Sequence, residues 1–197
     1  MITPTQPIPF SVPVAGFRRF TVDEYHRLIE IGILTENDNL ELLEGYLVHK
    51  MSRNPPHDGT YQKVLKRLLR CIPPEWDARG QCAITLAESE PEPDIAVVRD
   101  DPRGYMTRHP EPADCGLIIE VSDSTLSFDR ADKSRIYAGA GIAVYWVVNV
   151  VDGQIEVYHS PNGTTYADRQ DYRPGDTIPL VLDGVTVAQL SVAELIG

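Results

Sequence analysis

Leu117-Ile118-Ile119-Glu120-Val121-Ser122 decides how this chain is read, together with Pro93-Asp94-Ile95-Ala96-Val97-Val98 upstream of it. Each is a short apolar run that reads as a strand, and the 116–122 run has the look of one buried on both faces. Each also carries a carboxylate where an apolar residue would pack. Asp94 opens its run, straight after Pro93, and Glu120 lies near the end of the next. A buried carboxylate without a partner is costly, and a bound cation would remove that cost. The structural alternative is that Glu120 pairs with a lysine or protrudes at a strand end.

The elements predicted around these strands have a definite order. Upstream, a helix is expected over 21–34, with Thr21 and Glu24 at capping-box spacing. A hairpin (40–43 and 46–51 around Glu44-Gly45) and a second helix over 59–72 follow. Strands are expected over 81–87, 94–99 and 116–122, with a long loop over 100–115. Downstream come a helix over 128–140, capped by Ser127 or Asp129, and an apolar strand over 142–150. Asp152-Gly153 turns that strand into another over 154–159. The tail holds short strands and a terminal helical turn. From residue 59 the order is α-β-β-β-α-β, which implies an α/β fold with a mixed sheet flanked by helices and added hairpins. The expected organisation is an extended N-terminal arm over 1–20, with four prolines, and a single domain over 21–197.

Composition narrows the class. The 197 residues suffice for one sizeable core, and 42% hydrophobic content suits a globular chain. No apolar run reaches membrane-spanning length, and the N-terminus lacks the pattern of a secretory signal. Three cysteines without CxxC spacing argue against a disulfide framework or zinc cluster, so a cytoplasmic location is expected. The net charge of −11 is adverse for a nucleic-acid binder, which then needs a local basic patch. Lys63, Lys66, Arg67 and Arg70 supply one on a face of the second helix; the plainer alternative is a solvated amphipathic face. Arg53 near that helix start and Arg18-Arg19 in the arm are further candidates.

Lys133 stands four residues after Asp129. The plain reading is an i, i+4 pair; the sharper one points its amine at the sheet end, beside Asp94 and Glu120.

These residues resemble a known family. Glu92-Pro93-Asp94-Ile95-Ala96-Val97-Val98 is similar to the PD strand of the Uma-two-like family of restriction-endonuclease-like proteins. Leu117 to Thr125 looks like its EVSxST segment. Asp129 to Lys133, with Tyr137, Gly141 and Tyr145-Trp146, resembles its DxxxKxxxYxxxGVxEYWxV stretch, with Ile142 and Val144 departing from it. Leu40 to Val48 resembles xELxxGxxV, and His57 stands where the family has a histidine. The resemblance covers about residues 20 to 190 and implies a PD-(D/E)xK core. The usual superfamily lysine position is Ser122 here, which makes Lys133 the candidate. The implied activity is divalent-metal-dependent DNA endonuclease chemistry. Asp94, Glu120 and Lys133 would be catalytic. Asp94, Glu120, the Val121 carbonyl and Glu44 would hold Mg2+ or Mn2+. Asp129 would orient Lys133, and His57 would contact phosphate or cap its helix. DNA is the implied substrate, a homodimer is expected, and no membrane association is. The rival expectation is a nuclease fold retained as a non-catalytic binding or assembly module.

Overall fold

The computed structural model describes residues 16–196. Most of the expected N-terminal arm, 1–15, therefore lies outside the described residues. Helix α1, Val22–Glu30, starts at Thr21 with the expected capping box: Thr21 Oγ1 accepts from the Glu24 amide at 3.1 Å, and Glu24 returns the bond at 3.1 Å. Strands β1 (Leu40–Leu43) and β2 (Tyr46–His49) form an antiparallel hairpin. Its two turn residues, Glu44 and Gly45, have φ of 49° and 79°, the double left-handed geometry of a tight hairpin turn.

Helix α2, Pro55–Leu68, begins four residues earlier than periodicity indicates. Asn54 caps it, accepting from the His57 amide at 3.1 Å, and Pro55-Pro56 occupy the first turn, where a missing N–H costs nothing. Strands β3 (Trp76–Gly80), β4 (Ile95–Arg99) and β5 (Cys115–Ser122) follow. Helix α3 (Leu126–Phe128), a π-helical turn (Asp129–Lys133) and helix α4 (Ser134–Gly139) run on without a break. The chain closes with β6 (Val144–Asn149), β7 (Gln154–Asn162), β8 (Thr165–Tyr172), β9 (Thr177–Leu182), β10 (Val185–Ser191) and α5 (Val192–Ile196).

The central sheet has the order β3-β4-β5-β6-β7-β8. It is mixed, because β5 and β6 pair in parallel while every other neighbouring pair is antiparallel. The parallel pair needs a crossover, and α3, the π turn and α4 supply it. β9 and β10 form a separate hairpin. The sheet separates two cores. Ile95, Val97, Leu117, Ile119 and Trp146 face α2, α5 and the β9–β10 hairpin. Ala96, Val98, Ile118, Tyr145 and Val147 face α4, with Tyr137 and Ile142 against them. The expected α/β architecture is present, with β5 buried along its whole length.

The strand expected over 81–87 does not form; β3 is Trp76–Gly80 instead. Gln81 takes φ of 55°, which takes the chain out of the extended conformation, and 81–93 runs as an irregular loop. Its amides find scattered acceptors: Ile84 donates to the Pro91 carbonyl at 3.0 Å, and Thr85 to Pro110 at 2.8 Å. Ile84 and Leu86 still point inward. The alternation reports burial correctly there, but no neighbouring strand supplies a ladder. Among the described residues no helix is long and apolar enough to cross a membrane.

Candidate active site

The register of β4 on β5 pairs Ile95 with Ile119, so the next residues outward, Asp94 and Glu120, come together. Both lie on the α4 face, because Glu120 alternates in step with Ile118. The Asp94 amide donates to Glu120 Oε2 at 3.2 Å, and Asp94 Oδ2 accepts from the Val121 amide at 2.8 Å. The crossover brings Lys133 over the same spot. Its Nζ stands 3.6 Å from Glu120 Oε1 and donates to Glu41 Oε2 at 2.9 Å. Tyr137, one turn further on, donates its hydroxyl to Glu120 Oε1 at 2.7 Å. From the other side, the first turn of α2 delivers His57, with Nε2 at 3.1 Å from Asp94 Oδ2.

The group sits at the floor of a cleft. Asn54 and Arg53 line one wall, and Asp123, Ser124 and Thr125 the other. Asn54 Nδ2 donates across to Asp123 Oδ2 at 2.5 Å. Asp94, Glu120, Lys133, Asp129 and Glu41 are each at most 6% exposed. Four carboxyl groups thus face one ammonium, one imidazole and the Arg53 guanidinium, which stands 3.9 Å from Asp94 Oδ1. Burial drives the Glu120 carboxyl up from its usual range; Lys133 only partly offsets this, and the Asp94 and Asp129 charges add to it. Burial would lower the Lys133 ammonium, but Glu120, Glu41 and Asp129 hold it above its ordinary value. Burial would likewise lower His57, and its bond to Asp94 carries it the other way. The crowded carboxyls hold Glu120 towards its neutral form, and a bound cation would favour the charged one. Two carboxylates at adjacent strand ends are the donor chemistry of a hard cation.

Asp94, Glu120, Lys133, His57, Asp129 and Val121 therefore line one cleft. Asp129 bonds to the end of β5. Its Oδ2 accepts the hydroxyls of Ser122 at 2.7 Å and Thr125 at 2.5 Å, tying the crossover to the end of β5, while Lys133 donates to Glu41. Burial raises the Asp129 carboxyl, against those two bonds. Glu44 does not join the group: at the hairpin turn it pairs with Arg135, with Arg135 Nη2 2.8 Å from its Oε2, and this bond holds its carboxyl low. A turn that directs the side chain outward, onto a guanidinium that also meets Asp132 at 3.3 Å, leaves Glu44 nothing to contribute at the cleft. Of the basic residues, Lys63, Lys66 and Arg70 lie on the exposed face of α2 and just beyond its end, while Arg67 is partly covered and stands 3.5 Å from Glu194. Arg53 lies in the cleft, 3.9 Å from Asp94 Oδ1.

Two participants escaped the sequence reading, Glu41 and Tyr137. Glu41 carried a usable signal: it alternates with Leu43, whose side chain is buried. Tyr137 stands at i+4 from Lys133, hence on the same helix face.

A mixed sheet that meets its crossover helix over two strand-end carboxylates defines the PD-(D/E)xK class of nuclease-like folds. The chain belongs to the Uma2 family, described as "Putative restriction endonuclease", whose model matches residues 22–193. It is also similar to the crystal structure of a protein from Anabaena variabilis described as "a putative nuclease belonging to DUF820". That similarity has a TM-score of 0.67 at 16% identity, over 90% of this chain and 97% of the other, and it establishes the fold. No curated protein matches the chain.

Proposed function

We propose that this protein is a divalent-metal-dependent endonuclease that hydrolyses phosphodiester bonds in DNA. The observation that carries the reading is the convergence of Asp94, Glu120 and Lys133, remote in sequence, at the floor of one cleft. The donor set fits Mg2+ or Mn2+. Among the described residues no three His, Cys, Asp or Glu side chains make a ready cage, so Asp94 and Glu120 would hold the ion with the Val121 carbonyl. Magnesium tolerates such a sparse set because it retains several waters. The second point of fit is the Glu120 carboxyl, which burial and then the Asp94 and Asp129 charges raise and which a bound cation would bring back down. When bound, the cation supplies Lewis-acid charge at the scissile phosphate and eases deprotonation of water.

The chain's own groups do the rest. Lys133 brings a fixed positive charge to the attacking side, where it orients the nucleophilic water and stabilises charge on the phosphoryl oxygens. Tyr137 holds one oxygen of Glu120 and so keeps its carboxylate plane from rotating. His57 and the Val121 amide fix Asp94 in the same way. Arg53 is placed to receive a substrate phosphate at the cleft mouth. The basic residues of α2 extend from that mouth: from His57 to Lys66 is nine residues, roughly 14 Å of helix, within reach of a passing duplex. We further expect a homodimer, one site per strand.

The test is plasmid incubated with Mg2+ or Mn2+ and wild type, Asp94→Asn or Lys133→Ala protein. Nicking by wild type, reduced at least about a hundredfold in both variants, supports the reading, since removing a transition-state charge typically costs that much. Equal residual nicking in all three points to a contaminant and to a nuclease fold kept for binding or assembly.

A further inference from the structure

Lys133 has two acidic neighbours, and the nearer is not Glu120. Glu41 Oε2 receives the ammonium at 2.9 Å, while Glu120 Oε1 stands at 3.6 Å. Glu41 is itself fixed, because the same Oε2 accepts the Glu92 amide at 3.0 Å. That amide lies two residues before Asp94, so the residue that holds the lysine is tied to the segment that carries the other carboxylate. Both side chains are buried, and a buried ammonium seeks the nearest full charge. Glu120 Oε1 already accepts the Tyr137 hydroxyl at 2.7 Å; without the Glu41 charge, Lys133 would close the gap and take the acceptor position that remains on it, leaving none for a cation.

Building on the nuclease reading, we infer that Glu41 is a positioning residue: it draws Lys133 off Glu120, so that an acceptor position on that carboxylate stays open for a divalent cation while the ammonium stays beside it. The lysine is thereby held between two acids in a set place. Glu41 touches neither the cation nor the substrate in this account.

Glu41→Gln tests it, since the amide keeps the shape and can still accept from Glu92. Mn2+ binding would be titrated calorimetrically in wild type, Glu41→Gln, Lys133→Met and the double variant. We expect Glu41→Gln to weaken Mn2+ about tenfold and to weaken it no further once Lys133 is gone, the non-additivity of residues acting through one another. An unchanged affinity in Glu41→Gln overturns the inference. So does an equal loss in the Lys133→Met background, which would make Glu41 a ligand or a purely structural residue. A metal-free crystal structure of Glu41→Gln gives an independent reading: Lys133 Nζ should move to within hydrogen-bonding distance of Glu120, and an unmoved Nζ contradicts the role. If wild type binds no Mn2+, the nuclease reading fails, and this last measurement alone decides for or against Glu41.

Discussion

Glu156 shows how this chain keeps a carboxylate charged where burial alone would protonate it. Its side chain is fully covered, yet Arg130, Asn149, Tyr158 and Gln154 all donate to it, and these bonds outweigh burial to pull its acid down from 4.5 to about 2. A depressed folded value contributes stability that is present above the unfolded value and is lost as pH falls towards the folded one. Glu156→Gln should therefore cost about 2–3 kcal/mol at pH 7, and the gap between wild type and variant should narrow between pH 5 and pH 3. Urea denaturation across that range measures it; a gap independent of pH would show that shape, not charge, matters. Glu120 is the counterpart, a buried carboxyl whose neighbours leave it short of positive charge. That contrast separates a structural acid from a candidate ligand, and sequence cannot supply it, because both occur as a single acid within an apolar strand.

The elements that carry the site differ in how readable they are. β4 and β5 were legible because a strand buried on both faces must be apolar throughout, so Asp94 just before one and Glu120 within the other stand out. The crossover was legible as a helix, but not its π turn: the wider turn places Asp129 and Lys133, both buried, at its ends, and no residue pattern encodes an i→i+5 bond. β3 was missed because Trp76-Asp77-Ala78-Arg79-Gly80 is short and half charged, and β8 because Tyr166-Ala167-Asp168-Arg169-Gln170-Asp171 reads as loop. β8 is an edge strand, and charged residues are what an edge requires to resist pairing with other chains. The start of α2 was placed too late because Pro55-Pro56 reads as a break until Asn54 is recognised as its cap. Asn54→Ala should cost about 1 kcal/mol through that cap, measured as a lower urea midpoint, and it also removes the bridge to Asp123. No loss would mean that the Pro-Pro first turn is sufficient by itself.

At the scale of the molecule, the proposed nuclease activity requires a chain with a net charge of −11 to meet an anionic polymer. The structure concentrates positive side chains along α2, whose first turn reaches the cleft, and leaves most acids elsewhere or paired. Lys66→Ala with Arg70→Ala, in an Asp94→Asn background that leaves DNA intact, should flatten the dependence of log affinity on log salt by about 2. Fluorescence anisotropy over a salt series reads this directly, and an unchanged slope would place the DNA on another face. Close packing sets a second constraint. A Cβ on Gly116 would come within 2.5 Å of the Trp76 ring and 2.8 Å of Leu182, where β5 passes beneath both. Gly116→Ala should then destabilise the fold by about 1–3 kcal/mol, seen as a lower melting temperature, and an unchanged midpoint would mean that Trp76 can swing aside freely.

Anomalous diffraction from crystals soaked in Mn2+ addresses the account at its centre. One peak is expected at the cleft floor, bound by the carboxylates of Asp94 and Glu120 with Lys133 Nζ still resting on Glu41, and Asp94→Asn crystals should lack it. A cleft that stays empty at saturating Mn2+, or a peak that survives the loss of Asp94, would contradict the metal-dependent reading and leave only the fold.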